Sequence, residues 1–303
     1  MTPSPRVWLL RDCLRAVLFA LLVAGLGALQ VGSAQAETRR AETTQAESTA
    51  QKLRLVVPSA LSRSGLLGQL LPQFERQTKI QIRVIVLEPP DALTLAGQGH
   101  ADVLWLSDDE REQAALKAGV IVERSDIMFG ELIVLGPRDD PAGLRGMTSI
   151  IEAVKLIASA EAKFVSRGDG SAVHRIESGI WEEADIDLDT PDAKTWYINV
   201  KGSMRATIRE ALRRNAYTIA DRGTWLGMKR PPNYVPLVAD DPRMVIQYGA
   251  MLVNPKLHKE VQAARARLFI KWLAAKPTQD AINQFTIAGQ YPYTANHGQR
   301  KSH

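Results

Sequence analysis

The chain has 303 residues, of which 45% are hydrophobic, a formal net charge of +5 and a single cysteine. This length and composition predict one large or two medium globular domains and exclude a chain that is mainly disordered. So small a surplus of positive charge does not indicate a nucleic-acid partner, and a lone cysteine, Cys13, excludes an intrachain disulfide.

Residues 1–36 predict a secretory signal peptide. Three arginines precede an apolar run from Ala16 to Leu29, and the segment closes on the small-residue sequence Ala34-Gln35-Ala36. An apolar run of about 14 residues is too short to span a bilayer, so we expect cleavage before Glu37 and export to the periplasm. The polar residues 37–51 lack large apolar side chains and predict a flexible leader.

The next part of the chain alternates strands and helices. Apolar runs predict strands, and helical spacing predicts helices, at Leu53–Val57, Leu66–Phe74, Ile80–Leu87, Ala101–Leu106, Asp109–Lys117 and Glu131–Leu135. Ser59–Gly65 is predicted to be a loop, and Pro89-Pro90 is predicted to break the second strand. This order of elements predicts a parallel sheet covered by helices.

A stiff polar passage, Gly136–Pro141, predicts a crossing into a second domain. Beyond it we expect helices and strands, and finally a loop, at Ser149–Glu161, Trp196–Val200, Met204–Asn215, Tyr217–Asp221, Val245–Val253, Val261–Leu273, Thr278–Phe285 and Gly289–Thr294. Pro231–Val235 is predicted to be a surface loop. Since the strand at Val245–Val253 could return the chain to the first domain, we expect a first lobe of residues 52–136 and 245–303, with residues 137–244 inserted as a second lobe.

The stretch Phe164–His174, FVSRGDGSAVH, predicts an anion site. A strand is followed by a polar loop and by a helix that Ser171 can cap, so free N–H groups and the positive end of the helix dipole would face a bound oxyanion. Arg167 can add a planar fork of donors. The alternative is a surface arginine paired with Asp169.

Catalysis is not indicated by the motifs of the chain. The histidines form no metal-ligand cluster, no phosphate-binding or dinucleotide-binding loop is present, and His174, three residues after Ser171, lies outside any nucleophile elbow. We therefore expect a binding protein that is not an enzyme and needs neither metal nor cofactor.

The segments together resemble the tungstate-binding proteins of bacterial ABC importers, a family of type II periplasmic binding proteins. The resemblance covers about Leu53 to Thr294 and is carried by SGLL…LPQFERQT (64–78), ADVL (101–104), MFGELIVLGPRDDPAGL (128–144), FVSRGDGSAVH (164–174), WY (196–197) and YTIADRGTW (217–225). It implies an α/β fold of two lobes, each a sheet flanked by helices, and an oxyanion such as tungstate or molybdate held in the cleft between them. It further implies delivery of this anion to a permease in the inner membrane, by a protein that we expect to be a monomer.

The resemblance also implies a set of ligand-binding residues: Ser59, Arg167, Ser171, Arg222 and Thr224. Arg167 matches the arginine of the family's SRGD motif, and Ser171 matches the serine that opens the following helix. Arg222 and Thr224 match the DRGT turn, although Arg222 could instead be held by a neighbouring aspartate. Ser59 falls in the first loop, where the family usually has TTTS.

Further candidates lie in the neighbouring loops: Ser62, Glu88, Asp91, Lys201 and Arg205. Ser62 shares the first loop with Ser59, where either hydroxyl could instead cap a helix. Glu88 occupies the position of the family's Gly-Thr-Gly loop, where it would repel a dianion if it faced the cleft and would not if it pointed outward. Lys201 and Arg205 lie in the family's glycine-rich segment.

Hydroxyl positions of the family are apolar here, at Val57, Pro58, Ala60 and Val173. The more apolar wall leaves a second hypothesis open, in which Arg167 holds the carboxylate or phosphonate of an organic anion while Glu88 or Asp91 accepts its amine or hydroxyls. A third hypothesis is a sensory or accessory binding protein that does not transport.

Overall fold

A computed structural model describes residues 52–298, so the predicted signal peptide and leader lie outside the described residues. Its strands are β1 (Leu53–Val57), β2 (Ile82–Val86), β3 (Val103–Leu106), β4 (Ile121–Pro137), β5 (Phe164–Ser166), β6 (Tyr197–Asn199), β7 (Thr218–Asp221), β8 (Tyr234–Val238), β9 (Val245–Val253) and β10 (Tyr293–Ala295). Its helices are α1 (Ser59–Arg63), α2 (Leu66–Thr78), α3 (Pro89–Gly97), α4 (Asp109–Lys117), α5 (Ile150–Ser159), α6 (Ala172–Glu183), α7 (Ala193–Trp196), α8 (Met204–Arg214), α9 (Arg222–Leu226), α10 (Ala263–Ala274) and α11 (Lys276–Asn283).

The sheet has a parallel part and an antiparallel part. Strand β1 pairs in parallel with β2 and β3, whereas β9 pairs antiparallel with both β3 and β4. The order is β10-β4-β9-β3-β1-β2. The prediction of a parallel sheet is therefore wrong in part: β9 returns along β3 and β4 in the opposite direction, and an antiparallel pairing needs no crossover helix.

The long strand β4 serves two groups of strands. Up to Glu131 it pairs with β9, and from Leu132 onward it pairs antiparallel with β7 and β8. Strand β5 pairs in parallel with β6, and the Val165 N–H of β5 donates to the carbonyl of Tyr217, just before β7, at 2.8 Å. The segment at Glu131–Leu135 is thus one part of a 17-residue strand.

Aromatic side chains pack each group of strands against its helices. Phe74 of α2 lies edge-on to Phe269 of α10, with ring centroids 5.0 Å apart. In the second group, Phe164 of β5 packs edge-on against Trp181 of α6 at 5.1 Å and stacks on Tyr197 of β6 at 5.7 Å. Because Phe164 and Trp181 are almost fully buried, they fix β5 and α6 on either side of the predicted anion turn.

Most predicted elements are present, and the departures have local causes. Ser59–Gly65 is not a loop throughout, because Ser59–Arg63 forms α1. Pro89 does not only break the preceding strand. It also begins α3, because a proline fits the first turn of a helix. Pro231–Val235 is not a surface loop throughout, because Tyr234 is buried at the start of β8. The predicted last loop likewise runs into β10 at Tyr293.

Among residues 52–298, no helix is long and apolar enough to cross a membrane. In the same part of the chain, no group of three or more histidine, cysteine, aspartate or glutamate side chains could hold a metal ion.

Candidate anion-binding site

A small cavity collects side chains that are far apart in the sequence. Several of the predicted residues line it: Ser59, Glu88, Arg167, Arg205 and Thr224. Ser59, Glu88, Arg167 and Thr224 each follow the carboxyl end of a strand, respectively β1, β2, β5 and β7, which is where open α/β sheets bind ligands. The cavity leaves about 30 Å³ for the centres of water-sized molecules, and because one water needs about 10–15 Å³ by this measure, its occupant is small.

Arg167 lines this cavity and is also paired with Asp169. Its Nε and Nη2 lie 3.0 and 2.7 Å from Asp169 Oδ2, and 13% of its side chain is exposed. Burial opposes ionisation of Asp169, but hydrogen bonds from Ser171 and the charge of Arg167 outweigh it and lower the pKa of the carboxyl below its usual value. Both readings of Arg167 from the sequence, cavity residue and partner of Asp169, therefore describe the same side chain.

A glycine after Arg167 is required by the shape of the turn. Gly168 has φ +60, and a Cβ on it would lie 2.5 Å from Asn199 Oδ1 on β6. The Gly168 N–H donates to Ser166 Oγ at 3.1 Å. Any side chain at this position would be strained and would clash with the Asn199 side chain, so the glycine allows the backbone turn that presents Arg167.

Ser171 caps α6 and does not line the cavity. Its Oγ accepts from the His174 N–H at 3.4 Å, and its own N–H donates to Asp169 Oδ1 at 3.1 Å. His174 Nδ1 accepts from the Gly170 N–H at 3.0 Å, and burial, together with the charges of nearby arginines, lowers the pKa of His174. The imidazole is therefore neutral at pH 7 and bound to backbone, and Ser171 and His174 do not form a nucleophile–base pair through the ring.

The DRGT turn contributes two lining residues, Gly223 and Thr224. The Thr224 N–H donates to Asp221 Oδ1 at 2.7 Å. Burial raises the pKa of Asp221, and the hydrogen bonds from Thr224 offset this only in part. Arg222 does not line the cavity: its Nε lies 2.6 Å from Glu131 Oε2. Neither Asp221 nor Asp169 holds Arg222, since its partner is a carboxylate of β4.

Glu88 faces the cavity. Its Oε1 accepts from Ser59 Oγ at 2.6 Å and from the Ser59 N–H at 3.3 Å. The outward-facing alternative is therefore wrong. Ser62, Asp91 and Lys201 are not among the lining residues.

The remaining lining residues carry further donors and one more positive charge: Ala60, Arg63, Ser64, Ser203, Met204 and Gly223. Arg63 lies four residues after Ser59 on α1, and this spacing places both on one helix face. This spacing could have indicated Arg63 as a further lining residue. It is missed because Ser59–Gly65 is predicted to be a loop, where helical spacing has no meaning. Ser203 caps α8, with its Oγ accepting from the Ala206 N–H at 3.4 Å.

A second cavity, of about 310 Å³, lies beside β4, β9 and the start of α6. Apolar side chains such as Phe129 and Ile246 line it, with Asp109, Glu110 and Arg175 among its polar groups. Arg175 is already paired with Glu110 at 2.7 Å and with Asp108. Since carboxylates outnumber the free cations there, the smaller cavity with its three arginines is the better site for an anion.

Comparison with known proteins gives the family. A family profile described as a PBP superfamily domain matches residues 42–277. The tungstate-binding protein TupA of Peptoclostridium acidaminophilum is 34% identical over 233 residues, which cover 76% of this chain and 80% of that protein. The chain belongs to the tungstate-binding protein family. This confirms the resemblance found in the sequence.

Solved structures of the family share the fold. The tungstate-binding protein TupA from Desulfovibrio alaskensis G20 matches with a TM-score of 0.73 and 32% identity, over 81% of this chain and 98% of that one. The tungstate ABC transporter structure from Geobacter sulfurreducens matches with a TM-score of 0.72 and 31% identity, over 78% and 99% of the two chains. The predicted two-lobed α/β fold class is confirmed, while the predicted lobe boundaries stay a prediction.

Proposed function

We propose that this member of the tungstate-binding protein family is the solute-binding component of an ABC importer, which captures a small oxyanion of the tungstate or molybdate kind and delivers it to a membrane permease. The observation that carries the proposal is the convergence of Arg63, Arg167 and Arg205 with serine and threonine hydroxyls on one small cavity. The family relationship supports the same ligand class.

The donors of the cavity suit an anion that is stripped of water. Arg167 has five N–H groups, of which two contact Asp169, and within residues 52–298 the other three have no protein acceptor. The hydroxyl of Ser203, at the N-cap of α8, also lines the cavity, whereas the Ser59 hydroxyl already donates to Glu88. Charge-assisted hydrogen bonds of this kind are stronger than those between neutral groups, so they offset the desolvation of a buried oxyanion.

The size of the cavity favours an inorganic oxyanion over an organic anion. A space of about 30 Å³ for the centres of water-sized molecules holds two or three waters by the same measure. An organic carboxylate would have to place its carbon chain outside this cavity or enlarge it.

The proposed mode of action uses the lobes that the sequence predicts. Residues 1–36 would direct export to the periplasm, and residues 52–136 with 245–303 would close on residues 137–244 around the anion. The protein would act as a monomer and without catalysis. A permease would recognise the closed form, so the proposed role is transport rather than sensing.

Titration of the purified mature protein with tungstate, molybdate, sulfate and phosphate tests the ligand. At a hundred times its dissociation constant, a ligand adds about 2.7 kcal/mol to the free energy of unfolding, which calorimetry and the melting temperature both report. We expect tungstate or molybdate to stabilise the protein most. If none of the four anions stabilises the protein or gives a heat of binding, the proposal is overturned. Unchanged tungstate uptake by cells that lack the protein would overturn its role in transport.

A further inference from the structure

The carboxylate of Glu88 accepts hydrogen bonds from cavity donors that would otherwise be available to the oxygens of a bound oxyanion. Two donors of Ser59, Oγ and the backbone N–H, point to Glu88 Oε1 at 2.6 and 3.3 Å. Both residues line the cavity that Arg167 also lines. An ionised carboxylate can only accept hydrogen bonds, so it has no favourable contact to offer an oxyanion that is also acceptor-only.

The charges around the cavity are nearly balanced before any ligand enters. Three arginines line it, and one of them, Arg167, forms a salt bridge with Asp169. In the part of the chain that the structure describes, no carboxylate lies within salt-bridge distance of Arg63 or Arg205. Glu88 adds a negative charge to the lining of the cavity. The three arginines are thus offset by Asp169 and Glu88, and a net charge of one positive unit remains for the ligand.

We propose that Glu88 is a specificity-determining residue that lowers the preference of this site for a dianion over a monoanion of the same shape. The inference rests on the proposed oxyanion function and goes beyond it by assigning the charge selection to one side chain. The repulsion between Glu88 and a ligand is proportional to the charge of the ligand, so a dianion meets twice the penalty that a monoanion meets. Shape and hydrogen-bond geometry do not enter this difference when the two ligands are isosteric.

Tungstate and perrhenate separate charge from shape. Both are tetrahedral anions of four oxygens around a heavy metal centre, and they carry two and one negative charges respectively. Their dissociation constants are measured by calorimetry at one pH and one ionic strength for the unaltered protein and for Glu88→Gln, which removes the charge and keeps the size. We expect Glu88→Gln to tighten tungstate binding about tenfold more than perrhenate binding, as one unit charge a few ångströms away does in a cleft of intermediate dielectric.

Two further variants control the result. Glu88→Asp keeps the charge and should leave the ratio of the two affinities close to that of the unaltered protein. Glu152→Gln makes the same chemical change on an exposed position of α5 and should alter neither affinity. The melting temperature of each variant without ligand reports whether it is folded.

The outcomes are distinct. A gain for tungstate that exceeds the gain for perrhenate supports the proposal. Equal gains for both anions would overturn it, because Glu88 would then compete for Ser59 without regard to charge, and no gain at all would overturn it too. If neither anion binds to the unaltered protein or to Glu88→Gln, the oxyanion function itself fails and this inference fails with it.

Discussion

At the scale of single residues, Arg167 shows how a structural ion pair and a ligand contact can share one side chain. Asp169 takes the edge of the guanidinium formed by Nε and Nη2, and it also accepts the Ser171 N–H. The pair orients the fork, and among residues 52–298 the remaining donors have no protein acceptor. Because the charge of Asp169 is balanced by Arg167, its carboxylate repels a bound anion less than an unpaired carboxylate would.

Arg167→Ala should weaken oxyanion binding by about 2–5 kcal/mol, since it removes a charge-assisted contact and leaves a desolvated anion short of donors. Arg167→Lys keeps the charge but lacks the planar fork, so it should recover part of the affinity. Calorimetry with tungstate measures both. Arg213→Ala, on an exposed arginine of α8 paired with Glu210, is the matched control and should bind as the unaltered protein does. Unchanged affinity in Arg167→Ala would place the site elsewhere.

At the scale of elements, α6 is anchored at its start by Ser171 and in its middle by Glu177. Glu177 is fully buried, and Tyr197 of β6 donates its hydroxyl to Glu177 Oε1 at 2.6 Å. Burial raises the pKa of Glu177 to about 7, although hydrogen bonds from its neighbours lower it in part. This contact ties α6 to β6, and the turn that carries Arg167 joins α6 to β5, the strand that pairs with β6.

The raised pKa of Glu177 makes stability depend on pH. The folded protein holds this proton more tightly than the unfolded chain, whose carboxyl has a pKa of about 4.5, so stability should fall as pH rises from about 4.5 to about 7. Glu177→Gln should remove this pH dependence. The difference in free energy of unfolding between Glu177→Gln and the unaltered protein should therefore shift in favour of Glu177→Gln, by about 1–3 kcal/mol, between pH 4.5 and pH 8. Urea unfolding across this range measures it, with Glu152→Gln as the control. Parallel pH profiles for the unaltered protein and Glu177→Gln would contradict the assignment.

Ser171→Ala tests whether this serine serves the helix or the ligand. Because its Oγ caps α6 and lies off the cavity, we expect a loss of about 1 kcal/mol in the free energy of unfolding and little change in oxyanion affinity. Ser171→Asn should retain most of the stability, since asparagine also caps helices. A large loss of affinity without a loss of stability would restore Ser171 to the ligand-binding set that the family resemblance implies.

The sequence predicts local elements of this protein better than contacts between them. The bounds of β1, β9 and α4 follow from apolar runs and from a cap, which are local signals. The contact between Ser59 and Glu88 joins residues 29 positions apart, and nothing near either one indicates it. The pairing of Arg222 with Glu131 is equally non-local, so family motifs found the strand ends but not the partners of each side chain.

At the scale of the whole molecule, a cluster of polar contacts joins the two predicted lobes. Asp108, at the N-cap of α4, is paired with Arg111 at 2.7 Å and with Arg175 of α6. The Gly170 carbonyl accepts from Arg175 Nη1 at 2.7 Å and from Arg111 Nη1 at 3.1 Å. Asp108 and Arg111 lie in the predicted first lobe, whereas Gly170 and Arg175 lie in the inserted one. Asp108 is almost fully buried, so these bonds are better shielded from water than those of a surface pair.

Arg175→Ala should therefore shift the proposed lobes toward an open arrangement. The variant loses the bonds from α6 to Asp108 and to the Gly170 carbonyl but keeps every residue that lines the anion cavity. A ligand that binds the closed arrangement is then held less tightly, in proportion to the fraction of closed protein. We expect tungstate to dissociate about tenfold faster, a change of about 1.4 kcal/mol, with a smaller effect on its association.

Stopped-flow mixing measures both rate constants, and Arg243→Ala is the matched control. Arg243 likewise pairs with a carboxylate, Glu183 of α6, at 2.6 Å, although this pair is exposed. Both residues lie within the predicted inserted lobe, so the loss of Arg243 should leave dissociation unchanged. Equal acceleration by Arg175→Ala and Arg243→Ala would mean that general loss of stability causes the effect. An unchanged dissociation rate in Arg175→Ala would mean that the Asp108 cluster does not hold the lobes together, and closure would then depend on the ligand and its arginines alone.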